Sequence, residues 1–234
     1  MPLPLFLSVP HAGLVIPPEV ERYNRLSPDE IRRDGDEGAA EIYDLRNDVQ
    51  AFQTTAIARV FIDMNRQVGD RSPDGIVKTH TCWNIPAYDP TPPEDIFDQL
   101  IERYWKPYHQ ALTDAAELDV LCGIDCHTMA EFAPQLSPDS TGEQRPWVAV
   151  GNLGGTSIPD AWTASIVRHL SDQFEGNVTI NAPFAGGYIT RTHVQEMRWF
   201  QIELSRGAFM TNDEKRERVL RSLVAFCDDV GPAE

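Results

Sequence analysis

The sequence predicts an α/β fold, in which helices cover both faces of a mixed, largely parallel sheet. Short apolar segments typical of strands alternate along the chain with amphipathic segments typical of helices. The strand segments are apolar throughout, as expected for strands that are buried on both faces. The 234 residues contain no repeat and no change in composition, so residues 1–234 are predicted to form a single domain.

The first strand is predicted over residues 5–9, an apolar run that ends at Pro10. Apolar residues recur every three or four positions over residues 42–52, which predicts an amphipathic helix. Residues 58–63 are predicted to form the second strand. Residues 67–93 are rich in proline and glycine and are predicted to form a long loop, suited to a lid or a specificity segment.

A second helix is predicted over residues 96–112, because apolar and aromatic residues repeat there every four positions. Pro107 is expected to kink this helix. The wholly apolar residues 120–125 predict a third strand. A loop is predicted over residues 131–146, and another strand over residues 147–151.

In the last third of the chain, Ser157 and Pro159 predict the start of a helix. The apolar segments that follow predict the closing strands, which are residues 178–180, 187–190 and 199–204. Thr211 and Glu214 have the spacing of a capping box, in which each side chain bonds the other residue's backbone N–H. They predict a final helix that ends at Gly231.

The charge of the chain narrows the choice of partners. Its 20 basic and 36 acidic residues give a net charge of −16, which disfavours nucleic acid and anionic membranes because both repel an acidic protein. No apolar run approaches the roughly 18 residues of a transmembrane helix. The four cysteines form no CxxC pair, as is typical of free thiols in a reducing compartment. We therefore expect a cytoplasmic protein with a small-molecule ligand, and a homo-oligomer is left open.

Residues capable of chemistry follow several of the predicted strands. In α/β sheets the ligand lies beyond the carboxyl ends of the strands, so these residues are candidates for a functional site. The candidates are His11, Asn65, Arg66, Asp125, His127, Arg191 and Glu203. They converge only if the strands that carry them are neighbours, which the spacing in sequence does not determine.

Most candidates also have a purely structural interpretation. A histidine after a strand can be a hydrogen-bonded core residue, and Arg66 can form a salt bridge. The acidic residues Asp34, Asp36 and Glu37 can cap the predicted helix. Asp125, two residues before His127, suits a partner that orients a histidine ligand. For Glu203 the functional interpretation is favoured, because a carboxylate inside an apolar strand is costly unless it is compensated.

Five segments of the chain, taken in order, resemble the N-formylglutamate amidohydrolase family. They are residues 8–13, 63–66, 125–128, 181–189 and 201–204. That family is similar in turn to the zinc carboxypeptidases. The resemblance implies their α/β fold, of the phosphorylase/hydrolase type, and a reaction in which a metal-bound water attacks an amide.

The resemblance also implies a metal site with one Zn²⁺ per chain, or another divalent metal. The implied ligands are His11, Asp36 and His127. Zinc carboxypeptidases carry a His-x-x-Glu pair, whereas Leu14 follows His11 at that spacing, so the carboxylate ligand must come from elsewhere. Asp36 is the predicted ligand, with Asp34 and Glu37 as alternatives.

The other implied roles concern the substrate. Asn65 and Arg66 match the pair that binds the substrate's carboxylate, and Glu203 matches the general base. Arg191 is predicted to bind a second carboxylate or to stabilise the oxyanion. The sequence thus predicts a metal-dependent hydrolase that cleaves the amide of an N-acyl acidic amino acid, such as N-formylglutamate. The alternatives are hydrolysis of another N-acyl amino acid or a small peptide, and a non-catalytic protein that binds a small molecule.

Overall fold

The structure, a computed structural model, describes residues 1–134, 137, 139 and 142–231. It contains a six-stranded sheet with the spatial order β2-β1-β3-β6-β4-β5. The strands are Leu3–Val9 (β1), Val49–Thr54 (β2), Cys122–Met129 (β3), Val148–Gly151 (β4), Val178–Ile180 (β5) and Trp199–Ser205 (β6). Strands β2, β1, β3 and β6 are parallel, whereas β4 and β5 run the opposite way. The predicted mixed, largely parallel sheet is confirmed.

Helices pack against both faces of the sheet, as predicted. They are Pro28–Asp34 (α1), Ala39–Ile42 (α2), Glu94–Leu100 (α3), Lys106–Asp114 (α4), Asp160–Gln173 (α5), Tyr188–His193 (α6) and Asn212–Val230 (α7). One apolar cluster joins α2, α5 and α7 to the first face, and a second joins α1, α3, α4 and α6 to the other. No helix among the described residues is long and apolar enough to cross a membrane.

The capping box at Thr211 and Glu214 is confirmed, and α7 ends at Gly231 as predicted. The helix predicted over residues 96–112 is confirmed in outline, but its irregularity differs from a simple kink. A π-helical turn, Ile101–Trp105, separates α3 from α4. Pro107 lies in the first turn of α4, where its missing N–H is tolerated because the wider turn precedes it.

Three predicted elements are wrong. The helix expected over residues 42–52 is replaced by the short α2 and the strand β2. The apolar residues of this segment do face the core, but they lie in a turn and a strand. Over so short a segment, the spacing of apolar residues does not distinguish a turn and a strand from a helix. Residues 58–63 form buried turns rather than a strand, so their apolar character reflects burial alone.

The third wrong element is the strand expected over residues 187–190, where α6 begins instead. The β-branched residues there favour a strand, but a tertiary contact holds the helical turn. The backbone N–H of Ile189 donates to Asn65 Oδ1 at 2.8 Å. Gly187 permits this approach, because a Cβ at that position would lie 2.2 Å from the Asn65 amide nitrogen.

The two predicted loops contain no helix or strand in their described residues. In the loop 131–146, residues 135, 136, 138, 140 and 141 lie outside the described part of the chain. Two polar contacts join the loop 67–93 to Asp34 at the end of α1. The buried Lys78 Nζ lies 3.4 Å from the Asp34 carboxylate, and the backbone N–H of Cys82 donates to the same carboxylate at 2.7 Å.

Candidate active site

Two neighbouring strands present a column of polar side chains on one face of the sheet. In the parallel pairing of β3 with β6, Asp125 lies opposite Gln201 and His127 lies opposite Glu203. Since side chains alternate along a strand, all four point to the same face. The intervening residues point to the other face and pack in its apolar cluster. The predicted convergence of His127 and Glu203 therefore follows from the sheet register.

His11, Asp36 and His127 form a buried cluster that could hold a metal ion. One potential ligand atom from each residue lies within 4.8 Å of the others. Asp36 Oδ2 lies 2.9 Å from His127 Nδ1 and 3.5 Å from His11 Nδ1. The structure thus brings the three predicted ligands together from the end of β3, the loop after β1 and the loop between α1 and α2.

The opposite nitrogen of each histidine faces a buried carboxylate. His11 Nε2 donates to Asp63 Oδ1 at 2.7 Å, and His127 Nε2 lies 3.0 Å from Asp125 Oδ1. Such carboxylates keep the proton on Nε2 and direct the Nδ1 lone pair toward a ligand position. His11 Nδ1 is buried and has no hydrogen-bond partner among the described residues. An orphaned nitrogen is costly in a protein interior, and coordination of a metal would satisfy it. The residues therefore fit a metal ion.

The second carboxylate oxygen of Asp36 is held by two arginines. Asp36 Oδ1 lies 3.3 Å from Arg59 Nη1 and 3.5 Å from Arg206 Nη2. Burial raises the pKa of Asp36, but the neighbouring His11 and His127 outweigh it and hold the pKa well below its usual range. This carboxylate is therefore ionised, with one oxygen anchored and the other facing the two histidines.

The two alternative carboxylate ligands lie elsewhere. Asp34 accepts bonds from Lys78 and from the backbone of Cys82, and Glu37 is exposed. Among the described residues, the cluster that could hold a metal comprises Asp36 with the two histidines. The geometry favours Asp36 over both alternatives.

Glu203 is buried beside this cluster, in register with His127. It accepts a hydrogen bond from the Gln201 side chain. Burial raises the pKa of Glu203 to about 7, against the opposing effect of His127. In the described part of the chain, Arg206 contacts Asp36 and Arg191 donates to the Gly186 carbonyl. Neither arginine pairs with Glu203, so an ion pair with one of them does not account for its burial.

A cavity of about 550 Å³ opens over Glu203 and the histidine cluster. Among the described residues, four carboxylates and six arginines line it, the arginines being Arg33, Arg59, Arg66, Arg145, Arg191 and Arg206. This concentration of basic residues contrasts with the net charge of −16 on the whole chain. The cavity is suited to an anionic ligand, because nearby cations act on a ligand more strongly than distant, screened acidic groups.

The three predicted substrate-binding residues all line the cavity. They differ in how far their side chains are already engaged in hydrogen bonds to the protein. Asn65 is buried, with its Nδ2 donating to Asp125 at 3.2 Å and its Oδ1 accepting from Ile189. Arg66 donates from Nη2 to the Asp74 carboxylate at 2.9 Å. Arg191 is exposed and bonds only a backbone carbonyl among the described residues. The two arginines are accessible, whereas both polar atoms of Asn65 already have protein partners.

A sequence profile described as N-formylglutamate amidohydrolase matches residues 3–210 of the chain. The chain belongs to this family. It is 25% identical over 230 residues to the N-formylglutamate deformylase of Pseudomonas putida. The alignment covers 91% of this chain and 84% of that protein.

Solved structures show the same fold at lower identity. The N-formylglutamate amidohydrolase from Ralstonia eutropha JMP134 superposes with a TM-score of 0.77 and 21% identity, covering 97% of this chain and 94% of that one. The gene product Atu2144 from Agrobacterium tumefaciens superposes with a TM-score of 0.70 and 15% identity, covering 97% and 90%. Both superpositions support the mixed α/β architecture.

Sequence reasoning missed two residues that complete the cluster. Asp63 orients His11, and Arg59 links Asp36 to Asp63, whose carboxylate lies 3.5 Å from Arg59 Nε. Burial raises the pKa of Asp63, but His11 and Arg59 outweigh it and hold the pKa well below its usual range. Both residues lie in the apolar segment 58–63, and a charge inside an apolar segment was the signal that could have revealed them.

Proposed function

We propose that this protein is a metal-dependent amidohydrolase that releases formate from N-formylglutamate. The observation that carries the proposal is the placement of the His11, Asp36 and His127 cluster beside the buried carboxylate of Glu203, inside an arginine-lined cavity. Membership of the N-formylglutamate amidohydrolase family supports the same reaction. The free cysteines support a cytoplasmic location.

The metal would be held by His11 Nδ1, Asp36 Oδ2 and His127 Nδ1. Two histidines and one carboxylate are a donor set typical of catalytic zinc, although other divalent ions accept it. When bound, such a metal lowers the pKa of a water molecule to about 7 and polarises the substrate carbonyl. Asp63 and Asp125 would keep the two histidines in the tautomer that coordinates.

Glu203 would act as the general base. Its carboxylate accepts a proton from the attacking water and delivers it to the departing amine nitrogen, so that the products are formate and glutamate. A pKa of about 7 suits both steps near neutral pH. Gln201 would hold the carboxylate in place through its hydrogen bond.

Arg66 and Arg191 would bind the two carboxylates of the substrate, or Arg191 would stabilise the oxyanion. For this, Arg66 exchanges the Asp74 carboxylate for that of the substrate. Asn65 would bind the same carboxylate, and its side-chain amide would give up a hydrogen bond to the protein in order to bond the substrate. A dianionic substrate matches the basic lining of the cavity.

The test combines elemental analysis with a substrate panel. We expect about one zinc per chain and formate release from N-formylglutamate, with slower turnover of N-formylglutamine, which lacks one carboxylate. Preferred turnover of N-acetylglutamate or a small peptide would assign the metal chemistry to another substrate. Tight binding of N-formylglutamate without turnover by the zinc-loaded protein would indicate a non-catalytic binding protein.

A further inference from the structure

Two side chains, one from the π-helical turn and one from α4, bond the backbone on either side of Asn65. Trp105 Nε1 donates to the carbonyl oxygen of Arg66 at 3.0 Å. His109 Nε2 lies 2.8 Å from the carbonyl oxygen of Met64, and because a carbonyl only accepts, this nitrogen is the donor. The segment 64–66 is in neither a helix nor a strand, so its conformation depends on such contacts.

The π-helical turn and α4 present these two donors as a unit. Trp105 ends the π turn and His109 lies one helical turn later, so both face the segment 64–66. Their rings stack with centroids 3.8 Å apart and planes 26° apart. The stacking couples the two contacts, because neither ring can rotate without displacing the other.

A chain of polar groups fixes the ring of His109. His109 Nδ1 lies 2.8 Å from His193 Nε2, and His193 Nδ1 lies 2.6 Å from the Glu196 carboxylate. That carboxylate also accepts from Thr113 on α4, at 2.9 Å. Burial lowers the pKa of His109 to about 4, so the ring is neutral, with its single proton on Nε2. Because the Nε2 proton is directed to the Met64 carbonyl, Nδ1 of the neutral ring carries the lone pair and faces His193 Nε2.

We propose that Trp105 and His109 are positioning residues that fix the segment 64–66 so that Arg66 meets the carboxylate of the substrate. The inference rests on the proposed function, since it concerns the same anionic site. Arg66 presents a planar fork whose two N–H groups must match a carboxylate. A shift of its backbone carbonyl misaligns that fork. The three predicted metal ligands lie outside the segment, and its contact with them is that of Asn65 Nδ2 with His127 Nε2, at 3.1 Å.

The experiment compares variants that differ in one hydrogen-bond donor. Trp105→Phe keeps an aromatic ring but removes the indole N–H. His109→Met removes the donor, whereas His109→Gln has a similar shape and retains an N–H near Nε2. Tyr104→Phe is the matched control, because Tyr104 lies in the same π turn but bonds Glu19. For each protein we measure kcat and KM for N-formylglutamate, the Kd for glutamate by calorimetry, zinc content and Tm.

We expect KM and the glutamate Kd to rise about five-fold in Trp105→Phe and His109→Met, equivalent to about 1 kcal/mol. We expect kcat and zinc content to stay close to wild type, His109→Gln to recover most of the affinity, and Tyr104→Phe to be unaffected. A lower Tm with unchanged KM and Kd would reduce both residues to a structural role and overturn the proposal. Loss of zinc with loss of kcat would also overturn it.

The glutamate measurement separates this inference from the proposed function. A wild-type protein that binds glutamate but does not hydrolyse N-formylglutamate would contradict the function. The positioning inference would then stand or fall on the Kd values of the variants. A wild-type protein that neither hydrolyses N-formylglutamate nor binds glutamate would contradict both.

Discussion

Replacing Glu203 with glutamine keeps the shape of the side chain and its bond from Gln201 but removes its capacity to accept a proton. We expect Glu203→Gln to lower kcat at least about a hundred-fold, because general bases contribute roughly 10² to 10⁴ in rate. Zinc content and KM should stay near wild type. Steady-state kinetics and elemental analysis of the same preparation measure all three quantities.

The control for this variant is Glu102→Gln, which removes an exposed carboxylate paired with Lys106. It should leave kcat unchanged. Near-normal turnover in Glu203→Gln would place the base elsewhere. Normal turnover accompanied by a lower Tm would make Glu203 a structural residue.

Removing either histidine of the cluster should abolish metal binding. In His11→Ala and His127→Ala the remaining ligands cannot form a three-donor site, so we expect less than about a tenth of the wild-type zinc content. The circular dichroism spectrum should remain that of a folded protein. His169→Ala is the matched control, because His169 pairs with Asp229 away from the cavity. Full zinc occupancy in a variant that combines His11→Ala with His127→Ala would rule out the site.

Arg66→Lys keeps the positive charge but loses the planar fork. If Arg66 binds a substrate carboxylate, kcat/KM should fall about ten-fold, equivalent to about 1.4 kcal/mol. Asp74→Asn distinguishes this role from a salt bridge. Because Asp74 competes for the guanidinium, its neutralisation should leave KM unchanged or lower it.

The control for the Arg66 variant is Arg103→Lys, at an exposed arginine that pairs with Glu19. It should have wild-type kinetics. If Arg66→Lys also had wild-type kinetics, or if Asp74→Asn reproduced a defect in Arg66→Lys, the arginine would be assigned to the salt bridge alone.

Local patterns in the sequence predicted some residues of the site better than others. His11 follows an apolar strand, His127 follows the apolar segment 120–125, and Glu203 interrupts an apolar strand, so each carries a local signal. Asp36 has no such signal, because an acidic residue near a helix start is common in any protein. Its position beside both histidines depends on the loop between α1 and α2 and on Arg206, which are contacts between distant parts of the chain.

At the level of elements, the strands β3 and β6 depend on a glycine. Gly123 lies opposite Trp199, and a Cβ at that position would come within 2.5 Å of the indole ring. We expect Gly123→Ala to lower the free energy of unfolding by about 1–3 kcal/mol, as overpacking of a core does. Urea denaturation measures the change.

Gly69→Ala is the matched control for this prediction. Apart from its chain neighbours, no atom of the part of the chain that the structure describes lies within 4 Å of the place that an added methyl group would take at Gly69. The substitution should therefore change the stability little. Equal stability of the two variants would mean that the indole moves aside without cost.

The predicted elements that failed share a physical cause. The apolar residues of 42–52 and 58–63 are buried as their hydrophobicity requires, but their backbone is decided by distant partners. Strand β2 forms because β1 offers it a parallel ladder. The helix α6 begins where Asn65 accepts an amide N–H. The spacing of apolar residues in the sequence indicates which residues are buried. It indicates the backbone conformation only where the contacts with neighbouring elements favour the same conformation.

At the level of the whole molecule, we propose that the chain folds as a single domain. The two apolar clusters lie on opposite faces of one sheet, which supports one cooperative unit. Zinc should therefore raise the Tm of one transition, since a ligand of the native state adds about 2.7 kcal/mol at a hundred times its Kd. A chelator should reverse the shift.

Differential scanning calorimetry with and without zinc checks this prediction. His11→Ala should show no shift on addition of zinc, which controls for binding elsewhere on an acidic surface. Two separate transitions, of which zinc moves only one, would contradict the single domain.

Two of the groups assigned to the reaction lie on the sheet, whereas the two arginines assigned to recognition lie outside it. His127 and Glu203 are paired across two hydrogen-bonded strands, so the spacing of the sheet sets their separation. Arg66 and Arg191 project from segments outside the sheet. Remodelling those segments can therefore change which acid the cavity accepts while the separation of His127 and Glu203 is kept. For protein engineering, β3 and β6 can be kept while the segments that carry the two arginines are exchanged.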